Sequence, residues 1–146
     1  MKTAALSILA ALVLGVCAFA FAESPPVVEV WRTASCGCCG AWVKHLQENG
    51  FATRVHFVDD TAAARRQAGM PEAYGSCHTA KVGGYAVEGH VPAAEIRRLL
   101  AQKPRAVGLS VPGMPLGSSG MEGPAKMPYD VMLVGGDGKA SVYRHY

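Results

Sequence analysis

Val27-Val28-Glu29-Val30-Trp31-Arg32-Thr33-Ala34-Ser35-Cys36-Gly37-Cys38-Cys39-Gly40-Ala41-Trp42-Val43 is the stretch on which the reading of this chain turns. Val27 to Trp31 is β-branched and aromatic around one glutamate, follows Pro25-Pro26, and predicts a strand. Trp42, Val43 and Leu46 then recur at helical spacing before Gly50, which predicts a helix from about Gly40 to Asn49. Cys36, Cys38 and Cys39 therefore stand where a strand hands over to a helix N-terminus. The positive end of the helix favours thiolate over thiol, so such a site is nucleophilic or metal-loving.

Downstream, Phe51 to Val58 alternates, with Phe51, Thr53, Val55 and Phe57 on one face, and predicts a second strand. Asp59-Asp60-Thr61 offers N-caps to a short helix through Gln67, closed by Gly69 and Pro71. Thr79 to Val82 and Tyr85 to Glu88 flank Gly83-Gly84, a two-residue hairpin turn. Pro92 opens a helix with Ile96, Leu99 and Leu100 as its apolar stripe, and Pro104 stops it. Strand-helix-strand-helix-strand-strand-helix is the thioredoxin-like order. The expected class is thus α/β, with a thioredoxin-like domain over residues 23–105. Residues 106–146 form a C-terminal extension: an irregular Gly/Pro-rich loop, Val111 to Pro124, then a hairpin of Tyr129 to Val134 and Lys139 to Arg144.

Upstream, one lysine precedes an apolar run from Ala4 to Phe21, and Ala20-Phe21-Ala22 has the small residues that signal peptidase requires. Residues 1–22 read as a cleaved signal peptide of an exported, periplasmic protein. The rival is an uncleaved anchor, since a run of this length just spans a bilayer. Val16 before Cys17 does not fit a lipoprotein signal.

With 146 residues, 50% hydrophobic and 17% charged, the chain is one globular protein, expected to be a monomer. A formal net charge of +3 without basic runs gives no case for nucleic acid. No phosphate loop, nucleotide fingerprint or serine nucleophile elbow occurs. Export places Cys36, Cys38, Cys39 and Cys77 in an oxidising compartment, where two disulfides are the plain expectation. Adjacent Cys38 and Cys39 pair poorly with each other, which works against that arrangement.

Cys36 and Cys39 alone have the CxxC spacing of a dithiol redox centre. Cys38 would scramble such a pair, whereas a metal cluster uses all three sulfurs, because thiolate bridges metal ions. Cys77 is followed directly by His78 at the hairpin entry, and His90 sits in a loop. Met114 and Met121 lie among small residues, where core filling does not account for them. Thioether suits Cu(I) alongside thiolate and imidazole and is a poor zinc ligand. The candidate metal ligands are therefore Cys36, Cys38, Cys39, Cys77, Met114, Met121, His78 and His90, with copper as the ion. Tetrahedral zinc on the cysteines and His78 is the weaker alternative, since it leaves the methionine loop unexplained.

Cys36-Gly-Cys-Cys-Gly-Ala-Trp42, Ser76-Cys-His-Thr-Ala80, Gly84-Tyr85, Glu88-Gly-His-Val-Pro92, Val111-Pro-Gly-Met-Pro-Leu-Gly-Ser-Ser-Gly-Met121 and Tyr129-Asp-Val131 together resemble the CopG family of exported copper-resistance proteins. Ser119 stands where a proline is usual. The resemblance implies a thioredoxin-like domain whose extension helps bind metal. It also implies a copper cluster of more than one ion, bridged by the sulfurs of Cys36, Cys38, Cys39 and Cys77 with Met114 and Met121, and interconversion of Cu(I) and Cu(II) in copper resistance. The partners implied are copper ions and components of copper efflux or a redox partner. A thiol-disulfide oxidoreductase using Cys36 and Cys39, and a passive copper chaperone, remain the alternatives.

Overall fold

The computed structural model describes residues 26–146, so the signal-peptide reading lies outside the described residues. Among the described residues it is a mixed α/β structure of seven strands in one sheet and three α-helices. The elements run β1 (Val28–Arg32), α1 (Gly37–Glu48), β2 (Thr53–Phe57), α2 (Ala62–Gln67), a 3₁₀ turn (Glu72–Tyr74), β3 (His78–Val82), β4 (Tyr85–Glu88), α3 (Ala93–Gln102), β5 (Gly108–Ser110), β6 (Asp130–Val134) and β7 (Ala140–His145). Among the described residues no helix is long and apolar enough to cross a membrane.

The sheet order is β2-β1-β3-β4-β5-β6-β7. Strands β1 and β2 are parallel, β3 runs against β1 and β4, and β5 is parallel to β4. These directions decide where the chemistry sits. Because β3 is antiparallel to β1, its first residue, His78, pairs with the last residue of β1, Arg32. The end of β4 (Glu88) pairs with Thr79, and the end of β5 (Ser110) pairs with Glu88. The Cys36 junction, Cys77, His90 and the loop after Val111 thus leave the sheet at one edge.

One core underlies this edge, built from Val28 and Val30 of β1, Trp42, Val43 and Leu46 of α1, and Ile96 and Leu99 of α3. Burying Cys39, Trp42, Val43 and Leu46 as a helical stripe leaves Cys38 facing outward. Gly83 and Gly84 both have positive φ, +55° and +87°, as a two-residue hairpin turn needs.

One expectation is corrected, the start of the first helix. Helix α1 starts at Gly37, so Cys38 and Cys39 lie inside its first turn and Cys36 is its N-cap. Phe57 does not join the core: β2 is an edge strand, and Phe57 is 65% exposed beneath the Arg32 guanidinium. Strand β5, which the sequence did not suggest, joins β4 to the C-terminal hairpin in a single sheet.

Candidate metal centre

The N-terminal turn of α1 is closed by sulfur: Cys36 Sγ accepts the Cys39 backbone N–H at 3.3 Å. Serine or aspartate normally fills that role. Cys36 and Cys39 are joined as a disulfide with their Cα atoms 5.4 Å apart, and Cys38 and Cys77 remain free. Cys38 Sγ lies 3.6 Å from Cys36 Sγ, and all four sulfurs fall within 4.8 Å of one another. Two metal–sulfur bonds of about 2.3 Å end to end span nearly that distance. The four sulfurs are close enough to meet at one metal ion.

Cys77 is also the hinge to a second group. Its Sγ lies 3.1 Å from His90 Nε2 and 3.4 Å from His78 Nδ1. His90 Nδ1 is 2.8 Å from the Ser119 carbonyl, which can only accept, so the ring carries its proton there and turns the Nε2 lone pair toward Cys77. A backbone carbonyl holding the far nitrogen is how proteins orient metal-binding histidines. The His78 ring packs against Trp42 at 4.3 Å between ring centroids and a 38° tilt, and its Nε2 is buried without a hydrogen-bond partner. Burial, then the neighbouring His90, holds His78 down at about 3, and burial lowers His90 as well. Both imidazoles are neutral at pH 7. Burial, then the Cys38 charge, pushes the Cys77 thiol up to about 11, so at neutral pH it keeps its proton unless a cation replaces it.

Methionines approach from the long loop. Met114 Sδ lies 4.0 Å from Cys38 Sγ across 76 positions of sequence, and Met114 shares a cavity of about 360 Å³ with Cys77. Met121 shares a cavity of about 410 Å³ with Cys38. The sulfur quartet therefore lies between two cavities, each walled by one of the predicted methionines. Sulfur and imidazole dominate, and neither ligand group includes a carboxylate, so the donor set fits a soft ion and not a hard one.

Sequence reasoning missed what holds these groups. Glu88, fully buried, accepts from Arg65 Nε and the Ser76 N–H, each at 2.8 Å, and from the Thr79 hydroxyl at 2.7 Å. Arg65 Nη2 donates to the Ser76 carbonyl at 2.7 Å. Ser76 and Thr79 bracket Cys77 and His78, so this pair clamps the ligand segment from both ends. Trp42 Nε1 donates to the Val91 carbonyl at 2.8 Å, and His45 accepts the Ala93 N–H at the start of α3, a structural role. Gly120, at φ +84°, presses on the Trp42 backbone and the Cys38 carbonyl, which seats the loop on α1. The loop glycines and the Pro-free clamp residues gave no periodic signal; the run Ser76-Cys77-His78-Thr79 was the nearest clue.

A mixed α/β fold with a cysteine and histidine cluster able to hold a metal defines the class of this protein. A family model described as "Protein of unknown function, DUF411" matches residues 74–121, the span from the clamp to Met121. No curated protein matches in sequence. Two solved structures of the copper resistance protein CopG, Form 1 and Form 2, are each 46% identical to the chain, covering 84% of it and 98% of theirs, with TM-scores of 0.78 and 0.79. The chain belongs to the CopG family of copper-resistance proteins.

Proposed function

We propose that this is an exported, periplasmic copper protein in which Cys36, Cys38, Cys39, Cys77, Met114, Met121, His78 and His90 hold more than one copper ion and pass it between Cu(I) and Cu(II) in copper resistance. The observation that carries the reading is the convergence of four sulfurs within 4.8 Å, met by Met114 from a loop 76 positions away. Copper enters as substrate. Thiolates that share ions spread charge and limit rearrangement when the oxidation state changes, while thioethers favour Cu(I). The β2-β1-β3-β4 arrangement with its helices supports a thioredoxin-like domain over residues 23–105, and residues 106–146 supply the methionine loop. Replacing Met114 and Met121 with leucine tests it: copper retention should weaken while dithiol exchange at Cys36 and Cys39 persists. Unchanged retention would count against the loop's role.

A second reading, thiol-disulfide exchange, is favoured by the closed Cys36–Cys39 pair beside two free thiols. It requires that reduction of a disulfide substrate survive removal of all copper and depend on Cys36.

A further inference from the structure

We propose that the electrons for copper reduction come from the quartet itself, with Cys36 and Cys39 as the electron-storing pair and Cys38, Cys77 and Met114 as the holders of the reduced metal. This rests on the copper reading above and adds the electron donor that it lacks. The structure shows the oxidised state that the idea requires. With Cys36 and Cys39 joined, Cys38 and Cys77 stay free, Cys38 keeps its 4.0 Å approach to Met114, and Cys77 keeps its 3.1 Å approach to His90 Nε2. Closing the disulfide therefore leaves a soft donor set in place.

The step balances. Two Cu(II) ions each take one electron, the Cys36 and Cys39 S–H bonds are lost, one S–S bond forms, two protons pass to solvent, and two Cu(I) ions result. Thiolate and thioether then suit the Cu(I) produced better than the Cu(II) consumed, which drives the reaction in this direction. Position divides the labour. Cys36 and Cys39 face each other across the first turn of α1, with Cys39 buried and Cys36 half-buried, so their product is an intrachain bond. Cys38 points outward to the cavity walled by Met121. A further turnover needs an external dithiol donor to reopen the disulfide.

The test adds Cu(II) anaerobically to the fully reduced, reductant-free protein and follows three readouts: the Cu(II) spin signal, free thiols per chain, and the disulfide located by mass spectrometry. The expected result is two Cu(II) consumed per disulfide formed, thiols falling from four to two, and the bond mapped to Cys36–Cys39. Cys36→Ser and Cys39→Ser should each slow the loss of the Cu(II) signal at least tenfold when compared with the parent at equal bound copper. Cys38→Ser should still form the Cys36–Cys39 bond at two Cu(II) consumed per disulfide for whatever copper it binds, and surrender the Cu(I) to a chelator at least tenfold faster. A persistent Cu(II) signal with all thiols intact, or a bond mapped to Cys38–Cys77, overturns the proposal while leaving copper binding standing. Failure of the wild-type chain to retain either ion sinks the copper reading itself.

Discussion

Glu88→Gln tests how the ligand segment is held. The carboxylate is fully buried, pairs with Arg65 Nε at 2.8 Å, and anchors Ser76 and Thr79 on either side of Cys77 and His78. Burial raises its carboxyl pKa, opposed by Thr79, Ser76 and Arg65, so the group depends on those partners to stay charged. The amide oxygen of glutamine can still accept from Ser76 and Arg65, and the Thr79 hydroxyl can rotate to accept from the amide nitrogen. What is lost is the charge, which leaves Arg65 buried against Glu72, whose side chain is 70% exposed. Removing one partner of a buried ion pair costs ~3–5 kcal/mol, and the retained acceptors place this change at the lower end. At roughly 4 °C per kcal/mol for a domain of this size, the melting temperature should fall by about 12 °C. Urea unfolding of the copper-free protein, followed by the fluorescence of buried Trp42, measures it. Because replacing a whole buried pair is often nearly neutral, Arg65→Met with Glu88→Leu should cost less than the sum of the two single changes. Alkylation of Cys77 should also quicken in Glu88→Gln, since its backbone is no longer fixed. If that variant unfolds within about 0.5 kcal/mol of the parent and Cys77 reacts at the parental rate, the clamp does not exist.

Gly120→Ala places a Cβ 2.6 Å from Trp42 N and 2.9 Å from Trp42 Cα, both backbone, at φ +84°. It should cost about 1–3 kcal/mol and, by lifting Ser119 away from His90, weaken copper binding more than Gly113→Ala, where no atom lies within 4 Å. Trp42→Phe forfeits the hydrogen bond to Val91 and part of the tilted ring contact with His78, and should lower stability by about 2 kcal/mol in the same unfolding assay. In the copper-free protein His78 stays neutral down to about 3, whereas the unfolded chain takes up the proton at the ordinary 6.5. Its contribution is therefore complete above pH 6.5 and is lost as pH falls toward 3, at up to ~1.4 kcal/mol per pH unit. Urea midpoints between pH 7 and 4 should drop accordingly and drop less steeply in His78→Gln; equal slopes would refute the assignment.

Periodicity located the elements that bury a face. Strand β1, the Gly83-Gly84 hairpin and helix α3 lie within one or two residues of their predicted bounds, because Val28, Val30, Ile96 and Leu99 all serve one core. Helix α1 was placed three residues late because Gly37-Cys38-Cys39-Gly40 looks like a loop by composition, and only the Cys36 sulfur cap and the tertiary burial of Cys39 extend the helix through it. Strand β5 has only three residues and no alternation of its own; pairing on both sides makes it a strand. The soft-donor side chains were legible as chemistry, since few structural reasons explain Cys36, Cys38 and Cys39 together or Met114 among glycines and prolines. Their convergence was not, because it depends on strand directions that bring residues 36, 77, 90 and 114 to one sheet edge. The Arg65–Glu88 clamp was invisible for the same reason: a charged pair 23 positions apart carries no local signature.

The central claim is that the quartet and the methionine loop hold copper as a group, and copper per chain is its most direct measure. Protein isolated from copper-supplied cells, analysed for metals alongside Cys38→Ser, should carry more than one copper ion per chain and lose most of it in the variant. A single zinc ion, or no metal with the four cysteines closed into two disulfides, would contradict the account.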